Sequence, residues 1–297
     1  MTEFLQLLVI GLVTGSILAL AGVGVSLVYG ILGVVNFAQG EYVTYGAFAA
    51  VVVNIIWKVN IVVGALAAMV AIAALSVALE YVFWRPMRRR HAGVFTMFVA
   101  SLGLSLIMRG VLYSTASPNP RTYRVNVFQV YDIGGVRLSQ SQLTALVIGV
   151  VSIVLVGLLF SRTHMGKSMR ALSDNRELAA IAGVDVQRVV LVTWVIAGGL
   201  AGLAGVLQGL TQDSFDANMG FILLLPVFAA VILGGIGSAY GALAGGLVLG
   251  VAMQLSTWTK LGGGLSPIWE QVVAFTVLVL ALLVRPTGLL GRAVRAT

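Results

Sequence analysis

The chain has 297 residues, of which 59% are hydrophobic and only 9% are charged. Soluble domains carry roughly a quarter charged residues, so this chain has too few to cover a water-soluble fold of its size. The lipid bilayer must therefore be the solvent for most of its surface. The net charge of +8 does not indicate nucleic-acid binding, because the basic residues are not gathered on one face. The chain has no cysteines, which excludes disulfides and thiol chemistry.

The basic residues lie mainly in gaps between or after apolar runs. Cytoplasmic loops of membrane proteins carry an excess of lysine and arginine, so these gaps are predicted to face the cytoplasm. The first basic residue is Lys58. Because the N-terminus lacks the charged region of a cleavable signal peptide, we expect the first apolar run to remain as a helix that starts outside. Three stretches hold most of the basic residues: Arg85, Arg88, Arg89 and Arg90; Arg162, Lys167, Arg170, Arg176 and Arg188; and Arg285, Arg292 and Arg295.

The apolar runs predict an all-α, polytopic membrane protein with about eight to ten transmembrane helices, some discontinuous, in a single permease domain over residues 1–297. The uncharged run 4–40 is longer than one crossing requires, since about 20 helical residues suffice. We expect this run to break between Gly30 and Gly40. Residues 221–256 can alternatively form one span with a re-entrant piece. The further predicted spans are 41–57, 61–84, 92–116, 143–160, 189–210, 221–235, 238–256 and 268–284.

Two longer polar stretches separate these runs. Residues 117–142 contain two prolines and then alternate polar with apolar positions, which predicts an outer loop with a short extended segment. Residues 161–188 form the largest predicted cytoplasmic loop. Charge parity supports the layout, because two predicted spans separate the first and second basic stretches and four separate the second and third. Three spans before Arg85 again require an outward N-terminus.

Glycines recur on single helix faces. Small residues on one face let membrane helices approach closely, because lipid provides no hydrophobic drive between helices. We expect these faces to pack within the subunit, with a subunit interface as the alternative. The two sets are Gly198, Gly202, Gly205 and Gly209, and Gly237, Gly241 and Gly245.

Part of the cytoplasmic loop, residues 166–190, predicts a short amphipathic helix that is too regular to be a simple connector. Residues 173–177 carry helix-start signals, with Glu177 in the first turn. Gly183 is a natural stop after the alanine-rich segment that precedes it. A rigid helix across the cytoplasmic face is suited to receive force from a motor subunit. An ordinary interfacial helix is the alternative.

This helix carries a family resemblance. The segment Glu177-Leu-Ala-Ala-Ile-Ala-Gly183 resembles the E-A-A-x-x-x-G signature of ATP-binding-cassette importer permeases, with leucine as its departure. In that family the loop is the coupling helix that docks into the ATPase, which implies coupling roles for Arg170, Glu177, Ala180 and Gly183. Blocks along the whole chain resemble the branched-chain amino-acid permease family specifically, although that family usually has histidine where this chain has Gln39. The blocks are Gly15–Leu20, Asn36–Gly40, Met169–Leu172, Leu200–Val206, Leu233–Ser238 and Arg285–Gly288.

The resemblance implies a transport subunit, and not an enzyme, in the plasma (inner) membrane of a bacterium or archaeon. It implies inward movement of branched-chain amino acids by alternating access. The implied partners are two cytoplasmic ATPase subunits that bind ATP and Mg, a second related permease subunit or a second copy, an extracytoplasmic substrate-binding protein, and membrane lipid. No cofactor in this chain and no nucleic-acid partner are expected. Residues 166–168 resemble the end of a phosphate-binding loop, but position 161 is serine and a membrane helix precedes it.

The expected break in the first apolar run is the candidate substrate pathway. Discontinuous helices expose polar backbone groups to a substrate within the membrane. Asn36, Gln39 and Gly40 are therefore predicted to line the path of a zwitterionic amino acid, with satisfaction of the kink as their alternative role. Urea, short amides and other small metabolites are alternative cargoes.

Few ionisable residues are predicted within the membrane. Glu80 is expected to pair with the adjacent arginines at the interface, and Arg109 to extend outward from its helix. No ionisable residue is thus expected at mid-depth, which argues against an ion-coupled secondary transporter, and no repeated polar pattern indicates a channel. Four tryptophans near predicted span ends are expected to be interfacial anchors: Trp84, Trp194, Trp258 and Trp269.

Overall fold

The computed structural model describes residues 2–116, 119–125, 130–133, 136–212, 214–258 and 265–290, so Arg292 and Arg295 lie outside the described residues. Within these ranges the chain is helical apart from one hairpin, as the all-α prediction requires. The helices are α1 (Thr2–Leu32), α2 (Gln39–Val51), α3 (Ile61–Leu79), α4 (Arg85–Arg89), α5 (Val94–Ala116), α6 (Gln140–Arg162), α7 (His164–Asp174), α8 (Arg176–Ile181), α9 (Val186–Thr211), α10 (Met219–Gly234), α11 (Ala239–Leu255) and α12 (Glu270–Val284); π-helical turns cover Val52–Ile56 and Glu80–Trp84, a 3-10 turn covers Pro267–Trp269, and the strands are β1 (Val130–Ile133) and β2 (Val136–Ser139).

Five of the described helices are long and apolar enough to cross a bilayer alone: α1, α5, α6, α9 and the continuous helix Ile61–Arg89. That last helix consists of α3, a π-helical turn and α4, so the predicted arginine loop at 85–91 is helical up to Arg89. Helices α10 and α11 pass the same test as a pair bent by 118°, which gives six spans when the pair is counted once. Helices α2 and α12 are shorter. Length and hydropathy alone therefore give fewer spans than the eight to ten expected.

Contacts with α1 show that α11 runs antiparallel to α1 along most of its length. Near the start of α1, Phe4 packs on Trp258, which follows α11, with ring centroids 5.3 Å apart. Near the end of α1, Gly30 closely approaches Gly237 in the turn between α10 and α11. The bend of 118° therefore turns the chain back so that α11 follows α1, and α10 with α11 forms a bent pair that counts as one broken span or a re-entrant segment.

The described basic stretches meet at one end of the bundle. Arg85 and Arg89 line a cavity together with Arg176. Arg170 lines a second cavity with Leu290, close to the end of the described chain. This shared end is what the predicted cytoplasmic positions require, and α1 begins at the opposite end, which the same prediction places outside.

The glycine faces pack helices together within the subunit, as predicted, except that Gly237 is not on a helix face: it lies in the turn before α11 with a φ of 84°. A methyl group at Gly205 would overlap the carbonyl oxygen of Val43, so α9 and α2 touch backbone to backbone. Gly198 lies equally close to Ser76 on α3. In α11, Gly241 and Gly245 lie against the end of α10. Any larger side chain at these positions would separate the helices.

The outer end contains the hairpin and a tightly packed loop segment. The extended segment predicted within residues 117–142 is present among the described residues: β1 and β2 pair antiparallel, and Arg121 forms an isolated bridge with Phe215. The Tyr123 hydroxyl donates a 3.0 Å hydrogen bond to the carbonyl of Ala47, and burial raises the pKa of this tyrosine well above its usual value. The outer loop is therefore anchored on α2 and is not a free connector.

Two of the four predicted interfacial tryptophans are core residues. Trp84 and Trp194 are almost completely buried and stack on each other with ring centroids 5.8 Å apart. The anchor prediction was wrong for them because the π-helical turn at Glu80–Trp84 shifts the helix register and directs Trp84 towards α9. Trp269, by contrast, is half exposed.

Candidate functional site

The first apolar run breaks where the sequence predicts. Helix α1 ends at Leu32, and Gly33 adopts a φ of 68°, a left-handed conformation that glycine accepts without strain. Asn36 then accepts a 3.0 Å hydrogen bond from the amide of Ala38 through its side-chain oxygen, which forms a turn. Helix α2 begins at Gln39. The chain therefore re-enters the bundle through an irregular segment.

Buried polar groups gather at this break. Asn36 and Gln39 are each about 1% exposed, and the Gln39 amide nitrogen donates a 3.1 Å hydrogen bond to the carbonyl of Ala197. The amide nitrogen of Asn36 and the amide oxygen of Gln39 have no hydrogen-bond partner. The Tyr42 hydroxyl lies beside Asn36 and Trp84, also outside hydrogen-bond geometry. Buried polar groups are normally satisfied, so this cluster is suited to a polar ligand or ordered water.

Gly40, the third predicted pathway residue, lies at the same place but serves helix packing. A methyl group there would come within 2.7 Å of the carbonyl oxygen of Gly220 at the start of α10. The next turn of α2 also contacts Gly220, because the Thr44 hydroxyl accepts a 3.0 Å hydrogen bond from the Gly220 amide. The break thus positions the start of α2 directly against α10.

An ion pair inside the bundle adjoins this break. Glu41, with a side chain that is 0% exposed, accepts hydrogen bonds at Oε1 from Arg109 Nη2 at 2.6 Å and Nε at 3.1 Å. Ser105 donates to the same oxygen at 2.9 Å, whereas Glu41 Oε2 has no partner. The Arg109 guanidinium also lies 3.9 Å from the ring centroid of Phe221 on α10. One carboxylate thus links α2 to α5, and its arginine reaches α10.

This pair corrects the prediction that Arg109 extends outward and that no ionisable residue lies deep in the bundle. The expectation failed because it treated the arginine without its partner, which is 68 positions away in sequence. One sequence signal was available: Ser105 precedes Arg109 by one helical turn, so a polar stripe marks the inner face of α5.

The second ion pair lies at the basic end and was predicted. Glu80, also buried, binds Arg88 with both carboxylate oxygens: Arg88 Nη1 donates to Oε2 at 3.0 Å, and Nη2 contacts Oε1. The two residues are eight positions apart in one continuous helix. The π-helical turn between them adjusts the register so that the two side chains meet.

The loop predicted to be cytoplasmic folds into two helices, α7 and α8, where the sequence predicts a short helix and a stop. The Asn175 side chain caps α8 by accepting a 2.9 Å hydrogen bond from the amide of Leu178. Gly183 ends this unit with a φ of 86°. Leu178 is 64% exposed and Ile181 is 85% exposed, whereas Ala179 is buried. Helix α8 therefore presents apolar side chains outward at the basic end.

The predicted coupling residues occupy two different environments. Glu177, Ala180 and Gly183 are exposed on or next to α8. Arg170 lies on α7, and its guanidinium donates a hydrogen bond to the carbonyl of Phe160 at the end of α6. Arg170 therefore connects α7 to the membrane helices, while the other three belong to the outward surface.

Helix α7 connects that surface to the core. Met169 is buried, and it lines a cavity of about 510 Å³ together with Gly30 at the end of α1 and Gly237 in the turn between α10 and α11. A displacement of α7 would act directly on the end of α1, because a methyl group at Gly30 would lie 2.9 Å from the Ser173 hydroxyl oxygen.

A multi-helix apolar bundle with a broken first helix, buried polar groups at the break and an exposed apolar helix at its basic end is the construction of a membrane transport subunit. The sequence profile of the family described as branched-chain amino acid transport system / permease component matches residues 7–282. The chain belongs to this family. It is a permease component and not an enzyme.

Relatives of known name agree with this assignment. The chain is 32% identical over 303 residues to the high-affinity branched-chain amino acid transport system permease protein BraD of Pseudomonas aeruginosa, covering 98% of this chain and 96% of BraD. It is 30% identical to the corresponding permease protein LivH of Escherichia coli K12, covering 97% and 96%. The galactose/methyl galactoside import permease protein MglC of Haemophilus influenzae is 27% identical over 63% of this chain.

A solved structure supports the fold. The chain superposes on one described as PsaBC from Streptococcus pneumoniae in complex with Fab, with a TM-score of 0.50 and 14% sequence identity. The match covers 96% of this chain and 92% of that one. At this identity the match shows a shared fold alone.

Proposed function

We propose that this chain is the membrane-spanning permease subunit of an ATP-driven importer that carries branched-chain amino acids into the cytoplasm. Family membership and relatives at 30–32% identity, which are named as permeases for these amino acids, support the cargo. The observation that carries the mechanism is the cluster of unsatisfied polar side chains at the helix break, inside an otherwise apolar bundle. Residues 1–297 act as one permease domain in the plasma membrane of a bacterium or archaeon.

The proposed machine needs further subunits. Two cytoplasmic ATPase subunits bind ATP and Mg and supply the energy. A second related permease, or a second copy of this chain, completes the pathway, and an extracytoplasmic binding protein delivers the amino acid. The exposed apolar residues Leu178 and Ile181 support the ATPase assignment, because such side chains at the end of a membrane protein indicate a docking surface.

Coupling is proposed to run through α8 and α7. Glu177, Ala180 and Gly183 are exposed where an ATPase would dock, so they form the contact. Arg170 connects this contact surface to the membrane helices, because its hydrogen bond to α6 makes α7 move together with them. The close approach of Ser173 on α7 to Gly30 then transmits the movement to the end of α1.

The substrate pathway is proposed to pass the break. Asn36 and Gln39 offer an amide nitrogen and an amide oxygen without partners, which suit the carboxylate and ammonium groups of an amino acid. Both are buried in this conformation, so alternating access must expose them. Gly40 contributes by keeping α2 close to α10.

An ion-coupled secondary transporter is the second candidate, favoured by one observation. Glu41 is a buried carboxylate beside a broken helix, which is what such transporters use for coupling ions. Its pairing with Arg109 leaves no net charge at the site, and the family assignment favours the ATP-driven machine. Urea or short amides as cargo would keep the machine and change only what it carries.

The test is uptake of labelled leucine into vesicles that contain the reconstituted complex, with and without ATP, for the wild type and Glu177→Arg. We expect wild-type uptake to require ATP and the binding protein, and the variant to lose both uptake and co-purification of the ATPase subunits. Arg137→Glu, a charge reversal on the exposed hairpin at the other end, is the control and should retain the ATPase. Uptake by this chain alone, driven by an ion gradient and indifferent to ATP, would overturn the proposal.

A further inference from the structure

A cavity at the basic end is lined by four arginines and only one acid. Its volume is about 370 Å³, and it lies between the end of the Ile61–Arg89 helix and the start of α9. The charged side chains are Glu80, Arg85, Arg88, Arg89 and Arg176. We call this the arginine cavity. The chain draws these arginines from two separate segments, so their convergence is a product of the fold.

Most of this positive charge is not neutralised within the chain. Glu80 uses both carboxylate oxygens on Arg88. Arg85, Arg89 and Arg176 form no ion pair with another described residue, and Arg85 instead lies 5.4 Å from the ring centroid of Tyr81. Three guanidinium groups around one cavity repel each other unless an anion joins them. Arginine forks match phosphate oxygens in geometry as well as in charge.

The arginine cavity opens beside the apolar surface of the same helix. Tyr81 is 46% exposed and Val82 is 77% exposed, one helical turn or less before Arg85. Towards the start of α3, Val70 is 70% exposed and Leu66 is 59% exposed. A phosphate in the cavity would therefore have space for apolar chains directly alongside it. Basic pockets between membrane helices on the cytoplasmic side are typical binding places for anionic lipid headgroups.

We propose that the arginine cavity binds the phosphate headgroup of an anionic phospholipid from the cytoplasmic leaflet, with Arg85, Arg89 and Arg176 as its ligands. Arg88 also lines the cavity but is held by Glu80, so it is not counted among the ligands. The acyl chains lie along the exposed face of α3. Because Arg176 is the first residue of α8, the bound lipid connects α4 to the helix that carries the exposed apolar surface.

The experiment measures lipid binding to the purified full chain in detergent, by native mass spectrometry with phosphatidylglycerol and with phosphatidylcholine as the neutral comparison. The cavity variant is Arg85→Gln, Arg89→Gln and Arg176→Gln together. Because each basic residue near a lipid headgroup contributes a tenfold factor or somewhat less, we expect binding of phosphatidylglycerol to weaken about a hundredfold. The matched control removes three charges at the same end but outside the cavity, Arg162→Gln, Lys167→Gln and Arg188→Gln, and should change binding less than threefold.

Three outcomes would overturn the proposal. If the control triple weakens binding as much as the cavity triple, the attraction is a diffuse surface effect. If inorganic phosphate competes as well as phosphatidylglycerol does, the ligand is a soluble anion. If lipid binding is unchanged but the ATPase subunits no longer co-purify, the cavity belongs to the subunit interface. Should the triple variant fold poorly, Arg89→Gln alone, at an exposed position, should still weaken phosphatidylglycerol binding about fivefold, and an unchanged affinity would contradict the site.

Discussion

The two buried acid–arginine pairs of this chain differ in how they are built. Glu41 and Arg109 are 68 positions apart and join α2 to α5 inside the bundle. Glu80 and Arg88 are eight positions apart and belong to one continuous helix at the basic end. The first pair therefore holds the tertiary structure together, whereas the second fixes a local turn.

The pairs also differ in the supply of replacement charges. The arginine cavity places Arg85, Arg89 and Arg176 around Glu80, while Arg109 is the one basic side chain that contacts Glu41 among the described residues. Both acids are almost fully buried, so burial does not distinguish them. A buried charge is costly mainly when its partner is removed and nothing replaces it. The number of cations within reach, and not the burial of the acid, should decide how much each arginine matters.

The largest expected effect comes from Arg109→Leu. The substitution leaves the Glu41 carboxylate buried without a counter-ion, which should lower the free energy of unfolding by about 3–5 kcal/mol. Denaturant titration of the purified chain, followed by tryptophan fluorescence, measures this loss. The matched control is the double variant Glu41→Gln with Arg109→Leu, which removes both charges and should recover most of the stability. A double variant no more stable than the single one would contradict an ion-pair origin.

Ser105→Ala should have an intermediate effect on stability, because it removes one hydrogen bond to Glu41 and leaves the ion pair in place. The hydroxyl donates to the same carboxylate oxygen as Arg109, and hydrogen bonds to charged groups contribute about 1.5–3 kcal/mol. We expect a loss in that range, measured by the same titration. Ser114→Ala is the control on the same helix, because its hydroxyl bonds only to the carbonyl of Val111 in its own helix, and it should change stability by less than about 0.5 kcal/mol. Equal losses for the two serines would show that the link to Glu41 contributes nothing.

The positions of the helices could be predicted from the sequence, because the bilayer requires long apolar segments and the loops between them carry the charge. The break near Asn36 and the helix stop at Gly183 could be predicted as well, since both depend on local turn chemistry. These features are set by a few neighbouring residues.

The partner of Arg109 and the burial of Trp84 could not be predicted. Hydropathy places an arginine at a depth in the membrane but does not say which side of the helix faces the bundle. The burial of Trp84 depends on a π-helical turn. Such a turn inserts an extra residue into the helical period and so changes which residues face the bundle. Both failures concern helix rotation, which only the packed structure supplies.

Arg88→Gln tests the redundancy at the basic end. Glu80 loses its bidentate partner, but Arg85 and Arg89 line the same cavity and can approach its carboxylate. We therefore expect a loss of about 1 kcal/mol, well below that of Arg109→Leu, although both arginines pair with a buried acid. Denaturant titration provides the comparison. A loss as large as that of Arg109→Leu would mean that the neighbouring arginines do not substitute and that burial of the acid alone sets the cost.

The smallest expected effect belongs to a third acid–arginine pair, on the outer hairpin. Arg137 Nε lies 4.0 Å from Asp132 Oδ2, and the two side chains are 76% and 59% exposed. Water and salt screen such a contact, so Arg137→Gln should leave the denaturation midpoint unchanged within error at both low and high ionic strength. A measurable loss that disappears at high salt would show that even this exposed contact stabilises the hairpin. The order of the three pairs would then follow distance and geometry, and the availability of other cations would no longer explain it.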